Sequence, residues 1–434
     1  MKEKHIYYDK IYLKRFVNTI FIMNRYKILF ACNAYYPAIG GAEKVCKRMV
    51  EILSKEGEVT VLTQYNPDRK DKTRIVELAS TTSYSYMPKL KEYLNTHDFD
   101  LYISFGYGKH FTDLIGSWTK RNKKPSIVMP CGFFHTNQHS PIKILYSTLM
   151  TKKALNNYTL RITATEWEKD FWHKKFGVTK HNTFVIPYNL EKDFGKFEKV
   201  KNISFLDERL KKKKYLLYIG RTGPNKLIEL LLQAYYKSSQ AIPLVIAGKG
   251  TEKYRDIFAQ TKSDALKNII FLGTVSEYGK KNLIENAKLC IFPSTYESFG
   301  MVLLESLALK TPTIGSNIGP FKEILKNDSL LFENNIDSLF KKISFAYENN
   351  YELAKINLPK QDIILRDIVS KLKNGIIPIK NISNSGIFKD ERSQADEGVI
   401  VWVALLILVI VIGFAFFLDF FKALMKGIGQ WMFK

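Results

Sequence analysis

Between residues 24 and about 345, short apolar runs alternate with longer stretches of helical periodicity. KILFACN (27–33) reads as a strand. From Gly41 onward, Ala42, Val45, Cys46, Met49, Val50 and Leu53 recur at helical spacing. EVTVLTQ (58–64), DLYISFG (100–106), SIVMP (126–130) and RITAT (161–165) continue the strand series. After about residue 200 the alternation starts afresh with KYLLYIGR (214–221) and a helix over Lys226–Tyr236. PLVIAGKG (243–250), NIIFLG (268–273), AKLCIFPS (287–294) and TPTIGS (311–316) follow as strands, with helices between them.

Repeated strand–helix units imply parallel sheets joined by right-handed crossovers. Two such series, separated by the charged stretch Glu191–Lys214, predict an α/β chain with two doubly wound domains. Ligands of such sheets bind beyond the carboxyl ends of the strands, so two domains facing each other create a cleft.

The ends of the chain break this pattern. Residues 399–418, VIVWVALLILVIVIGFAFFL, carry no charge over twenty positions. A helix of that length spans about 30 Å, the hydrocarbon thickness of a bilayer. A transmembrane helix is therefore expected at 398–418, after a polar linker at 376–397 and before a tail at 419–434. Lys380, Lys389 and Arg392 on one side are balanced by Lys422, Lys426 and Lys434 on the other, so charge does not set its orientation. Residues 1–23 mix five basic residues with aromatic and aliphatic ones, and their apolar run is too short for a signal peptide. A basic membrane-surface segment and an extension upstream of a start at Met23 both remain open.

Composition adds two constraints. The formal charge of +24 suits anionic partners such as nucleotide phosphates, nucleic acid or an acidic membrane, or reflects a generally lysine-rich chain. The four cysteines, Cys32, Cys46, Cys131 and Cys290, form no CxxC pair. That spacing argues against a zinc cluster and for buried free thiols.

Three segments carry candidate chemistry. In YYPAIGGAEK (35–44), Gly40 and Gly41 stand between a strand and a helix start, where backbone can approach a ligand and free N–H groups are on offer. In GRTGPNK (220–226), Arg221 supplies a planar fork and Lys226 a point charge that can converge on one anion. In STYESFGMVLLESLALKTP (294–312), the pattern places a loop over Pro293–Ser298 and a helix from about Phe299 to Leu309. Amides near Phe299, Gly300 and Met301 could grip a diphosphate with the help of the helix dipole. Glu297 would lie beside that anion, and Glu305, two turns along, would reach outward on the same side to accept from hydroxyls. The plain alternative is an amphipathic helix with a solvated Glu.

Glu297 and Glu305 match the E-x7-E signature of the GT-B glycosyltransferases, specifically glycosyltransferase family 4. YIGRTGPNK resembles that family's diphosphate-holding strand and loop, and VIAGKG its next strand and Gly-rich turn. PAIGGAEK resembles its first glycine loop, and ITATEWEKDFWHKKFGV followed by FVIP resembles the run closing its first domain. The resemblance covers roughly residues 24–345.

It implies a GT-B fold with an acceptor domain at 24–190, a nucleotide-sugar donor domain at 191–345 and a helical segment at 346–375. It implies a metal-independent, cofactor-free retaining transfer from a UDP- or GDP-sugar, and the expected membrane span points to a membrane lipid or glycan acceptor. Arg221 and Lys226 would neutralise the departing diphosphate, Glu297 would hold the donor sugar and Glu305 the ribose. Gly248 and Gly250, with Phe299, Gly300, Met301 and Val302, would line the donor site. His135 is the candidate histidine toward the donor sugar, with His139 as the spare. The chain departs from the family at IPYN (186–189), where IPNG is common, and at Gly319-Pro320, where a Gly-Gly or Gly-Ala pair is. The resulting expectation is an enzyme with a single C-terminal membrane anchor, cytoplasmic catalytic domains and no nucleic-acid partner. A sugar-nucleotide 2-epimerase of the same fold and a basic, membrane-anchored binding protein are the alternatives.

Overall fold

A computed structural model of the chain describes residues 26–38, 40–70, 74–80, 86–131, 149–191, 193–199, 206–207, 210, 215–239, 241–259, 268–349, 351 and 361–374. The basic N-terminal segment, His135, His139, the 376–397 linker, the apolar run at 398–418 and the tail lie outside the described residues. Among the described residues no helix is long and apolar enough to cross a membrane.

The first lobe runs β1 (Lys27–Cys32), α1 (Gly41–Leu53), β2 (Glu58–Gln64), β3 (Ile75–Leu78), α2 (Leu90–Thr96), β4 (Leu101–Phe105), α3 (His110–Arg121), β5 (Ser126–Met129), α4 (Thr151–Asn156), β6 (Leu160–Thr163), α5 (Glu166–Phe176) and β7 (Thr183–Val185). Its strands form one sheet in the order β3-β2-β1-β4-β5-β6-β7. All pairings are parallel, for example Phe30 opposite Val61 of β2 and Ile103 of β4. Strands β1 and β4 are covered on both faces, which is why they read as continuous apolar runs rather than alternating ones.

The second lobe runs β8 (Leu216–Ile219), a 3-10 turn (Pro224–Lys226), α6 (Ile228–Lys237), β9 (Leu244–Ala247), α7 (Glu252–Ala259), β10 (Ile269–Gly273), α8 (Glu277–Asn286), β11 (Leu289–Phe292), α9 (Met301–Ala308), β12 (Thr313–Ser316), α10 (Gly319–Leu325), β13 (Leu331–Phe332) and α11 (Ile336–Glu348). Its strand order is β10-β9-β8-β11-β12-β13, again wholly parallel. The order therefore reverses between β8 and β11, as it does between β1 and β4 in the first lobe. Open α/β sheets place ligand crevices at such reversals.

The chain then returns to the first lobe. Helix α12 (Gln361–Lys373) packs against α1, with Gln361 beside Met49 and Arg366 paired to Glu56 at 2.5 Å. Apolar packing also joins the lobes directly. Tyr188, after β7, meets Phe299, before α9, edge to face at 5.3 Å, and both are buried. The four cysteines are free; Cys32, Cys46 and Cys290 are buried.

Two expected helix starts move. Leu227 adopts a left-handed conformation (φ +43°), so the helix expected from Lys226 begins at Ile228 and Lys226 stays on the preceding turn. Gly300 has φ +103°, which no right-handed helix accommodates, so the helix expected from Phe299 begins at Met301.

Candidate active site

The loops that leave β8 and β11 are stitched together at the reversal of the second sheet. Thr295 N donates to Asn225 O at 2.9 Å, and Asn225 Nδ2 donates to Tyr296 O at 3.2 Å. These bonds bring two segments seventy residues apart into one surface. Lys226 Nζ lies in hydrogen-bond contact with Glu297 Oε1, and Ser294 Oγ donates to the same oxygen at 3.1 Å. Lys226 and Glu297 are each 22% exposed, so the pair is reachable from solvent. Arg221 is exposed on the same loop as Lys226, its carbonyl accepting from Tyr218 Oη at 3.0 Å.

The third wall is the turn after β9. Gly248 has φ +126°, and a Cβ there would fall 2.0 Å from Gly220 O. Gly250 has φ +87°, and its Cβ would fall 2.3 Å from Thr222 Oγ1. Both glycines let the β9 turn close onto the β8 loop, where Thr222 N donates to Lys249 O at 3.1 Å.

Gly300 caps α9. Its left-handed backbone is joined to a steric demand, because a Cβ would stand 2.6 Å from the Phe321 ring. Phe299 differs from expectation in its side chain, which is core packed on Tyr188; only its backbone remains for a ligand. Met301 and Val302 are half-buried, and Met301 faces the first lobe. A Cβ on Gly41 would lie 3.6 Å from Met301 Cγ, so the glycine loop of one lobe meets the α9 start of the other. Gly40 has an extended backbone, and a Cβ there would meet the Glu43 carboxylate of its own helix.

Glu305 also differs from expectation. It does not reach outward into solvent: it is 2% exposed. A buried carboxylate needs partners, and Glu305 has two. Its Oε1 lies 3.2 Å from Lys44 Nζ of α1, in the opposite lobe, and its Oε2 lies 2.7 Å from Lys280 Nζ of α8. Glu277 joins them, 2.5 Å from Lys44 and 3.0 Å from Lys280, so two carboxylates balance two ammonium groups. Burial works to lower the Lys44 pKa, but the Glu305 and Glu277 carboxylates outweigh it and the net shift is upward. Lys280 is more deeply placed, and there burial wins and pushes its pKa down.

A second interlobe contact flanks the site. Thr165 caps α5 by accepting from Glu168 N at 3.0 Å, and Glu323 of α10 accepts from Glu166 N at 2.9 Å and from Trp167 N. A carboxylate of one lobe thus sits at the positive end of a helix of the other. The Trp167 indole presses on Gly319, where a Cβ would fall 1.9 Å from it. That contact fixes the first residue of the Gly319-Pro320 pair as glycine. Beneath lies Glu168, whose Oε2 accepts from Ala164 N at 2.8 Å. Burial pushes its carboxyl up to about 8.

Sequence reasoning brought Lys226, Glu297, Gly300, Gly248, Gly250 and Gly41 to one region. It missed Ser294, Asn225, Lys44 and Lys280. Ser294, Asn225 and Lys44 stand inside segments already singled out, whereas Lys280 carries no local signal. Among the described residues no group of three His, Cys, Asp or Glu is placed to hold a metal.

Comparison with known proteins bears on the family and the fold. The family model described as Glycosyltransferase Family 4 matches residues 39–188, and that described as Glycosyl transferases group 1 matches residues 200–358. An uncharacterized glycosyltransferase, MJ1607 of Methanocaldococcus jannaschii, is 35% identical over 119 residues, covering 26% of this chain and 30% of that protein. The D-rhamnosyltransferase WbpZ of Pseudomonas aeruginosa is 28% identical over 249 residues, covering 56% of this chain and 62% of WbpZ. The matches thus span from under a third to under two thirds of these relatives' own length. The solved structure of Anabaena Alr3699/HepE in complex with UDP and glucose superposes with a TM-score of 0.65 at 17% identity, covering 80% of this chain and all of that one. The strand order of both lobes, the consecutive family matches and this likeness of fold lead to one conclusion: the chain belongs to the family 4 glycosyltransferases of the GT-B fold.

Proposed function

We propose that the protein transfers a sugar from a nucleoside-diphosphate sugar to a lipid-linked or glycan acceptor with retention of anomeric configuration. The observation that carries this reading is the contact of Lys226 with Glu297 at the reversal of the second sheet, three residues before the Gly300 turn. In that contact cation and carboxylate neutralise each other. A diphosphate would exchange places with the carboxylate on Lys226, and Arg221 on the same loop would add a second charge. Glu297, released from the ammonium, would then be available to accept from sugar hydroxyls. Stabilising the negative charge that develops on the leaving diphosphate is the main catalytic work of such a site.

Glu305 is the ribose ligand of the proposal. Its carboxylate has about four acceptor positions, of which Lys44 and Lys280 take two, leaving capacity for a diol. Because it is 2% exposed, ribose reaches it only if Lys44 shifts, so donor binding and the approach of the two lobes are linked. His135 is retained as a donor-sugar contact. HepE, solved with UDP and with UDP-glucose, supports a nucleotide-sugar donor. We place the catalytic lobes on the cytoplasmic side, where nucleotide sugars are found, with residues 398–418 as the anchor.

A donor screen tests the proposal. Released nucleoside diphosphate is measured for UDP- and GDP-sugars with a membrane lipid extract as acceptor, and the product linkage is read by NMR. Acceptor-dependent release with the donor's configuration in the product is expected. Release of none, or an inverted linkage, would overturn the reading.

A further inference from the structure

A cavity of about 480 Å³ opens in the first lobe between α1 and the β2–β3 edge. That volume suits a small ligand. None of the residues given a donor role lines it. Four cations do, Lys47, Arg69, Lys70 and Arg74, against the single carboxylate of Asp68. Val50, Val61 and Ile75 supply an apolar wall.

The cations divide into two kinds. Arg69 is structural. Its side chain is 3% exposed, it pairs with Glu77, and it donates to Tyr36 O at 2.9 Å and Tyr35 O at 3.1 Å. A planar guanidinium held at three points makes a rigid support. It fixes the backbone of Tyr35 and Tyr36, which line the cavity and lead directly into Gly40 and Gly41. The other three are exchangeable. Lys47 stands 3.6 Å from Glu191 and 3.9 Å from Glu51, and Arg74 stands 3.7 Å from Glu58, all at exposed carboxylates. Such pairs are screened by water and yield to a stronger anion. Lys70 is exposed. Tyr36 is 62% exposed, and Lys47 Nζ lies 5.8 Å from its ring centre.

The cavity is also close to the donor site. Tyr36 and Gly40 are four Cα-to-Cα steps apart, at most about 14 Å when extended, and Gly41 meets Met301 across the lobes. Resting on the glycosyltransferase reading above, we propose that this cavity holds the phosphate of a phosphorylated acceptor. Lys47, Lys70 and Arg74 bind the anion, and the Tyr36 ring and the Val50–Val61 wall take the adjoining sugar face or alkyl chain. The phosphate belongs either to a lipid-linked acceptor or to a soluble sugar phosphate, which share this chemistry.

Binding is measured by calorimetry on the full chain in neutral detergent, using octyl phosphate, glucose 1-phosphate and neutral octyl glucoside. The proposal expects the chain to bind octyl phosphate, glucose 1-phosphate or both, more tightly at low salt, and to leave octyl glucoside unbound. Preference for octyl phosphate assigns a lipid source, and equal or better binding of glucose 1-phosphate a soluble one. Substituting Lys47, Lys70 and Arg74 together by Ala should weaken the phosphate probe by about tenfold for each cation that pairs with it, and substitution by Arg or Lys should restore it. UDP or GDP titrated into the same variants reports the donor site, which should be unchanged. Nucleotide binding with no phosphate-probe binding, or with probe binding indifferent to the alanines, would overturn the acceptor site alone. Loss of nucleotide binding in the unaltered chain would strike the enzymatic reading instead.

Discussion

Lys226 Nζ rests on the Glu297 carboxylate, joining two loops that leave neighbouring strands β8 and β11. The pair couples the residue proposed to face the diphosphate to the one proposed to face the sugar. Neither can be replaced without leaving the other's charge uncompensated in a partly buried site. Glu297→Ala should therefore lower kcat by about two to three orders of magnitude. Far-UV and near-UV circular dichroism should stay unchanged. Steady-state release of nucleoside diphosphate provides the measurement, and wild-type turnover in this variant would remove Glu297 from the mechanism.

The Lys44–Glu305 contact predicts an energetic link between lobes. Glu305 is buried and shares its charge with Lys44 and Lys280, so Glu305→Ala leaves two ammonium groups short of one carboxylate. Breaking a buried pair in this way costs about 3 kcal/mol. Lys44→Ala, at a residue 28% exposed, should cost less. The double-mutant cycle of Lys44→Ala with Glu305→Ala should show a coupling of about 1 kcal/mol in urea denaturation. Strict additivity would mean that the two lobes do not hold this ion pair in solution.

Gly248 and Gly300 predict that two turns tolerate no side chain. Gly248 has φ +126°, with Gly220 O where a Cβ would be, and Gly300 has φ +103°, with the Phe321 ring there. Gly248→Ala should destabilise by about 2 kcal/mol and weaken nucleotide binding, because the β8 and β9 loops must separate. Denaturation midpoints and nucleotide titration check both effects.

Glu168 predicts a pH dependence. Burial moves its carboxyl from an ordinary 4.5 up to about 8 in the folded chain. The folded state keeps a proton that the unfolded state loses, so this residue's contribution to stability is full below about pH 4.5. It falls as pH rises and levels off above about 8. Glu168→Gln has no proton to lose and should lack that slope. Its stability relative to the wild type should increase from pH 5 to pH 8 by on the order of 3 kcal/mol. Parallel pH profiles for the two proteins would refute a buried protonated Glu168.

Much of this arrangement was legible in the residues. Fully covered parallel strands advertise themselves as continuous apolar runs, so β1, β4, β8, β9 and β11 were read within a few residues. The glycine loops and Glu297 were legible because their chemistry is local. What escaped was non-local or weakly patterned. Strand β3 (IVEL) is half-buried at a sheet edge and β13 is two residues long, so neither has a periodic signature. The inward turn of Glu305 depends on Lys44 and Lys280, residues 261 and 25 positions away along the chain. The packing of Tyr188, in the IPYN stretch, on Phe299 likewise joins two lobes and appears in neither segment alone.

The central claim is that a nucleoside diphosphate is held where the β8 loop, the β11 loop and the Gly300 turn converge. Calorimetric titration of UDP and GDP into the wild type and into Lys226→Ala measures it directly. The account predicts binding of at least one nucleotide by the wild type and a loss of at least about tenfold in the variant. Equal affinity in the two proteins, or binding of neither nucleotide by the wild type, would contradict it.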